Sequence, residues 1–457
     1  MRKRNMALVM AGLLTAASMA GCSGNAKEEA SSSGTAAKTE AAASETPAKE
    51  EAGGEKNLTV AWWGNQVRNE RTQQMLELYS EQNPGVTFDG QFSEWNDYWK
   101  KLSTAAAGNS LPDIVQMDMK YINQYVKNGL LVDLTPYIED GTIDVSNCNE
   151  SVLNAGKVGD GIYAICNGIN APGLLYNKTV TDAAGVTIKD GMTVDEFIDI
   201  CRTIHEKTGY KTNFLYTQNE IFCEYLLRAK GIVMYGEGAL GGTAEDYADY
   251  FALYRQGLDE GWLCEPAVFA ERTIGSVEQD PLVYGSSPDT RSWCMFQYTN
   301  QLTAARNAAP EGDHIALSTW PTPDLEKSNY LKPSQFFAIT TQGSNPDECA
   351  KVLDFITNSV DANNILLGER GIPLSSEVAN AISPQMDETS QEIIKFINEV
   401  VSPKCSQVNP PQPDGYTEAN EVLNRMEEKV AYGELTPEEA GKVFFEEANA
   451  ALAAKKQ

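Results

Sequence analysis

The 457-residue chain carries 64 Asp and Glu against 36 Lys and Arg, a formal net charge of −28, and 42% of its residues are hydrophobic. That composition describes a soluble globular body of roughly two to three lobes and excludes a collagen, a coiled coil or a fully disordered chain. The acidity opposes nucleic acid and anionic lipid headgroups as partners, because the protein's own field repels phosphate. With only two histidines, His205 and His314, a poly-His or two-His metal site cannot be built from one chain.

The N-terminus reads as an address. Arg2, Lys3 and Arg4 precede an apolar stretch from Met6 to Ala20 that is too short for an ordinary membrane span, which predicts a signal peptide over residues 1–21. Met19-Ala20-Gly21-Cys22 resembles the bacterial lipobox, with Met19 where Leu is usual. The resemblance implies that Cys22 is diacylated and becomes the new N-terminus, and two acyl chains suffice for stable anchoring. Residues 23–56 hold no Val, Ile, Leu, Met or aromatic residue, so they bury no core and read as a flexible tether. The remaining eight cysteines form no CxxC and no zinc spacing. They read as mostly free, buried thiols, although an exported chain is permitted disulfides.

From Asn57 the pattern alternates. Leu58, Val60 and Trp62 predict a strand, and Thr72, Met75, Leu76 and Tyr79 predict a helix stripe that Asn83-Pro84-Gly85 ends. Val86 and Phe88 predict a second strand. Trp95, Tyr98, Trp99, Leu102 and Ala106 predict a second helix, and Ile114 to Met117 a third strand. This βαβαβ order opens a mostly parallel α/β sheet, in which ligands bind beyond the carboxyl ends of strands. Those ends hold Trp62, Trp63, Gly64 and Asn65, then Asp118 and Met119.

The residues then show a family likeness. The runs from Leu58 to Val86, Tyr98 to Asp118, Leu130 to Ile138, Gly159 to Val180, Gly191 to Ile198 and Gly368 to Pro373 occur in the order found in carbohydrate ABC importers' binding proteins. The chain resembles the maltose-binding-protein-like extracellular solute-binding proteins (family 1) from about Asn57 to its C-terminus. The resemblance implies an α/β, two-lobed, periplasmic-binding-protein-like fold, each lobe a mostly parallel sheet flanked by helices, with the ligand cleft between lobes. We expect crossings near Asn170-Ala171-Pro172, at Lys332–Phe336 and near Gly371-Ile372-Pro373. Lobe 1 then takes 57–171 with 335–373, and lobe 2 takes 172–334 with the C-terminal helices 374–457. The resemblance also implies a monomer that binds a carbohydrate and meets separate ABC importer permease subunits, touching the membrane through its lipid anchor only. It implies no cofactor, no metal and no catalytic residue.

A neutral sugar needs flat aromatic faces and fixed amide, carboxylate or guanidinium groups around its hydroxyls. Trp62, Trp63, Trp95, Trp293 and Trp320 fall where strands or crossings open on a cleft, or are core tryptophans; alternation lets only one of Trp62 and Trp63 face inward. Asp118 either accepts hydroxyl bonds or caps a helix. Asn65 lies beyond the first strand and Asn170 at the first crossing, with Asn167 a weaker candidate. Tyr216 and Gln218, and Gln297 and Tyr298, resemble family contact segments. Arg370 is either a hydroxyl fork or an interlobe salt bridge. Aromatic richness favours an oligosaccharide over a monosaccharide.

Gly236-Glu237-Gly238-Ala239-Leu240-Gly241 matches a dinucleotide fingerprint in form, with Asp259 beyond it. It falls in mid-domain, so we read it as a Gly-rich loop with Thr243 capping the helix that follows. Two other functions stay open at this point. One is binding of a polyol or peptide. The other is an exported glycoside hydrolase, which needs two carboxylates flanking a bond.

Overall fold

The computed structural model describes residues 55–64, 66–214, 219–236 and 238–454. The predicted signal segment, Cys22 and nearly all of the tether lie outside the described residues, as do Asn65, Tyr216 and Gln218.

β1 (Lys56–Trp63), α1 (Gln66–Gln82), β2 (Val86–Ser93), α2 (Trp95–Ala107) and β3 (Ile114–Met117) follow the predicted order. α1 buries Thr72, Met75, Leu76 and Tyr79, the stripe that its spacing predicts. β1 pairs in parallel with both β2 and β3. Asp113 ties this sheet to the distant loop at Ser344. Its Oδ2 accepts from the Thr59 amide at 2.7 Å and hydroxyl at 2.6 Å, and its Oδ1 from the Ser344 amide at 2.7 Å. Burial alone would raise this carboxyl, but the bonds from Thr59 and Ser344 outweigh it and hold the pKa below its ordinary value. α3 (Met119–Lys127) then starts on Asp118, whose carboxylate accepts from the Lys120 amide at 2.9 Å.

β4 (Ile165–Asn170) and β5 (Pro172–Asn177) are separated by Ala171 alone, yet they belong to different sheets. β5 is the centre of a second sheet, between β6 (Cys294–Tyr298) and β7 (Ile315–Ser318). The return strand β8 (Lys332–Ile339) rejoins the first sheet, giving the order β2-β1-β3-β8-β4. The α/β class holds, but the second sheet is not the mostly parallel one expected: β5 is antiparallel to both neighbours. β6 and β7 run in one direction with a helix, Leu302–Ala308, between them, as in a βαβ unit. β5 arrives from the other sheet and inserts between them in the opposite sense. Around it, parallel pairing occurs among the described residues as isolated bridges, Lys211↔Ser292, Thr212↔Leu263 and Tyr330↔Ser406.

Helices complete each layer. α4 (Val194–Thr208) begins with a capping box: the Thr193 amide donates to Glu196 Oε2 at 2.9 Å and the Glu196 amide to Thr193 Oγ1 at 3.2 Å. α5 (Asn219–Ala229) and α6 (Ala244–Asp259) follow. The G-x-G-x-x-G run forms a two-residue-strand hairpin, Tyr235–Gly236 with Ala239–Leu240, and not a strand-to-helix turn. The Thr243 amide then donates to Asp246 Oδ2 at 2.9 Å at the start of α6.

Two apolar cores result. The first gathers Val60, Ile114, Ile165 and Phe336, and the second Leu174, Phe222, Trp293, Phe296 and Trp320. The segment from Leu374 onward divides between them, where the expectation placed 374–457 in one lobe. Leu374, Ile393, Phe396 and Val401 bury in the first core. α7 (Tyr416–Ala431) and α8 (Pro437–Ala454) bury Leu423, Met426, Phe444 and Leu452 in the second. α8 lies close against α6 at Gly441, where a Cβ would sit 2.6 Å from the Ala244 carbonyl oxygen. The eight described cysteines are free; six are buried, and Cys148 and Cys405 are partly covered. Among the described residues no helix is long and apolar enough to cross a membrane.

Candidate ligand cleft

The chain passes from the first sheet to the second at Asn170–Pro172 and back at Leu331–Ser334, and a third passage, the stretch 405–415, leads from helices of the first core into α7. The third passage is not the one expected at Gly371-Ile372-Pro373. Ile372 does meet the first crossing, since its amide and carbonyl bond those of Ile169, at 3.2 and 2.8 Å. The chain then stays with the first core for another turn of helices. The crossings are tightly knit. Ser334 Oγ donates to the Gly168 carbonyl at 2.8 Å, and Gln335 Nε2 to the Arg370 carbonyl at 3.1 Å. Gly168 has no room for a side chain, because a Cβ would lie 2.0 Å from the Arg370 carbonyl oxygen.

A cavity of about 500 Å³ opens on these crossings. Its size falls within the about 300–1,000 Å³ of small-molecule sites. Asn170, Lys332, Pro333 and Ser334 form its floor, and Asp118, Met119 and Lys120 one wall, from the carboxyl end of β3. The opposite wall takes Glu220, Glu224 and Arg228 from α5, where the spacing of four puts them on one face. Gln297, Tyr298, Asn300 and Gln301, from the end of β6, extend it. Val408 to Gln412, in the third passage, close one side.

Hydrogen bonds fix these groups. Arg228, nearly buried, donates to the Ser328 carbonyl at 2.9 Å, Asn409 Oδ1 at 2.6 Å, Ser406 Oγ at 2.6 Å and the Gln407 carbonyl at 2.8 Å. Its guanidinium lies 4.8 Å from the Tyr330 ring centre. Asn409 Nδ2 in turn donates to Glu224 Oε1. One arginine therefore holds the third passage against α5. Burial raises the Glu224 carboxyl, with Arg228 and the Asn409 bond opposing, and burial raises Glu220 also. The Tyr298 and Tyr330 hydroxyls meet at 2.9 Å. Lys332 Nζ stands 4.4 Å over the Tyr298 ring, and its pKa is lowered by burial, against the opposing pull of Asp118.

Of the residues singled out from sequence, Asp118, Asn170, Gln297 and Tyr298 line this cavity. Trp62, Trp293 and Trp320 do not: each is fully buried in a core. The Trp62 indole donates to Asn69 Oδ1 at 2.9 Å and that of Trp293 to Thr212 Oγ1 at 2.8 Å. Alternation along β1 turned Trp62 inward and left Trp63 half-buried. Trp63 meets Trp95 edge-on at 4.9 Å, and Trp99 joins them and packs on Tyr121 at 4.0 Å. This aromatic cluster stands beside the first turn of α3, outside the cavity lining. Asn167 is also outside the lining, with neither amide atom partnered among the described residues. Arg370 is outside the cavity lining and forms no ion pair among the described residues. It is 3% exposed inside the first core, donating to Gln116 Oε1 and, at 2.7 Å, to Thr72 Oγ1, with its face on Phe337. The nearby ion pair belongs to Arg68 and Glu369, at 2.7 Å.

Sequence reasoning missed Lys332, Tyr330, the α5 face and Val408–Gln412. The period of four in Glu220, Glu224 and Arg228 was a visible signal, and so was Pro410-Pro411 in an otherwise helical region. Among the described residues no group of three or more His, Cys, Asp or Glu could hold a metal ion.

Comparison with known proteins adds to this geometry. The model of a family described as bacterial extracellular solute-binding protein matches residues 74–391. The diacetylchitobiose binding protein DasA of Streptomyces coelicolor is 30% identical over 130 residues, 28% of this chain and 29% of that protein. A further curated relative is matched over 52% of its length, so the chain spans well under two thirds of these relatives. An extracellular solute-binding protein family 1 structure from Alicyclobacillus acidocaldarius superposes with a TM-score of 0.79 at 26% identity, covering 88% of this chain and all of that one. A periplasmic oligogalacturonide binding protein from Yersinia enterocolitica shares the fold, with a TM-score of 0.72 at 17% identity over 88% of this chain and all of that one.

Proposed function

We propose, from the premise that this chain belongs to the bacterial extracellular solute-binding protein family, that it captures a sugar or oligosaccharide in the cleft and delivers it to an ABC importer. The family is one of binding proteins and not of enzymes. The observation that carries the reading is the cavity itself. Two of the crossings line it, and its lining presents amides (Asn170, Gln297, Asn300, Gln301), carboxylates and tyrosines. Those are groups that pair hydroxyls and cover C–H faces. In this reading Asp118, Asn170 and Gln297 bond hydroxyls and Tyr298 supplies an apolar face. Closure is a bend at the crossings, which brings the Asp118 wall towards the α5 wall around ligand.

The named relatives support a carbohydrate: one binds diacetylchitobiose and another oligogalacturonide, by their names. We further propose two lobes divided at the crossings, a diacyl anchor at Cys22 and a tether that holds the body off the membrane. A thermal-shift screen of the chain against mono- and oligosaccharides, polyols and peptides tests the reading. A ligand bound only by the folded state, at 100 times its Kd, stabilises by about 2.7 kcal/mol, and a rise with one glycan class is the expected result. A rise with peptides alone would refute the substrate class.

A further inference from the structure

The charges in the cleft are unequally satisfied. Glu224 has Asn409 and, at longer range, Arg228. Arg228 spends its donors on Ser328, Asn409, Ser406 and Gln407. Asp118 accepts from the Lys120 amide. Lys332 differs from these. It is on the floor, beside Asn170 in the ladder, and more than a third of its surface remains open. Among the described residues it forms no ion pair: its ammonium stands over the Tyr298 ring, and Asp118, the carboxylate that pulls on it, lies beyond ion-pairing range. The ring fixes where the ammonium points and cannot accept its three N–H bonds in full. In a chain with 64 acidic residues, an ammonium that lines a binding cleft and forms no ion pair among the described residues is an anion-receiving group.

Resting on the reading above, we propose that the ligand is an acidic sugar, and that its carboxylate sits against Lys332 on the cleft floor, between Asn170 and Tyr298. The carboxylate accepts charge-assisted bonds from the ammonium and leaves the amides of Gln297, Asn300 and Gln301 for hydroxyls. Glu220, on the α5 wall, repels a second acid there and so orients the ligand with its carboxylate to the floor. The net negative charge of the chain does not oppose this at close range, because at physiological salt that field is screened within about 8 Å.

The test uses the full chain and pairs of probes: tri-uronates of different linkage, each beside its carboxyl-reduced, neutral twin. Calorimetry should find one uronate bound about tenfold or more tightly than its twin, the effect of one charge-assisted bond. Lys332→Met should abolish that preference, and Lys332→Arg should keep it, which separates lost charge from lost folding. A neutral twin bound as well as the acid, or a preference that survives Lys332→Met, would overturn this inference and leave the carbohydrate reading intact. No binding of any glycan, acidic or neutral, would overturn both.

Discussion

Asp280 offers a test of the buried electrostatics. Its carboxyl is 5% exposed, in the turn after Val277–Gln279, where Oδ1 accepts from the Leu282 amide at 2.9 Å and Oδ2 from Asn213 Nδ2 at 3.3 Å. Burial pushes its pKa from 3.8 up to about 7, and the Leu282 bond, Arg272 and the Asn213 bond offset only part of that. In the unfolded chain the proton leaves near pH 3.8; in the folded chain it stays until about pH 7. Between these values the folded state binds the extra proton. The contribution is therefore fully present below about pH 4 and is lost as pH rises through 7. At 1.36 kcal/mol per unit, a shift of about 3 units is worth about 4 kcal/mol. Asp280→Asn stays neutral throughout and keeps an oxygen for the Leu282 amide. Its stability relative to the parent should climb by about 4 kcal/mol from pH 4 to pH 8, while carboxylates common to both chains cancel. Urea unfolding of the two proteins at pH 4, 6 and 8 measures the difference. A difference that stays constant within about 1 kcal/mol across that range would refute a buried, proton-holding Asp280.

Other outcomes follow from the packing. Gly168→Ala puts a Cβ against the Arg370 carbonyl and Ser334 Oγ, neither of which can move without opening a crossing, so urea unfolding should show a loss of about 3 kcal/mol or more. Arg228→Ala leaves Glu224 buried without its guanidinium and frees Ser406–Asn409. We expect a loss of about 3–5 kcal/mol in unfolding free energy and weaker glycan binding in calorimetry. Burial pushes the Cys148 and Cys166 thiols up to about 12, and Cys201, Cys223, Cys264, Cys294 and Cys349 are raised and buried as well. Thiol labelling at pH 8 of the native chain, followed by peptide mapping, should therefore spare the six buried cysteines until denaturant is added. Prompt labelling at Cys201 or Cys294 would contradict the second core as described.

The first five elements were legible because each is dictated by local spacing, as the Thr72–Tyr79 stripe shows. The direction of β5 was not, since it depends on where β6 and β7 lie more than a hundred residues later. The helices after Leu374 and those after Tyr416 carry the same kind of apolar stripe, and no local pattern says which core each stripe meets. At the cleft, Asp118, Asn170, Gln297 and Tyr298 could be named because strand ends and crossings point to them. The tryptophans misled because a large aromatic serves a core as well as it serves a sugar. Lys332 was named only as the start of a crossing and not as a contact, for its significance lies in the absence of an ion pair among the described residues, which no local pattern shows.

The placement of α8 bears on how the chain comes into being. Its Phe444 and Leu452 complete a core whose first member, Leu174, is made long before. Gly441 closes against Ala244, which lies nearly two hundred residues earlier in the chain. A chain growing from its N-terminus thus carries an open second core until α8 has emerged, and contacts so distant in sequence form slowly. The arrival of α8 is thus the step that seals the second core, and the elements made before it stay pliable until then.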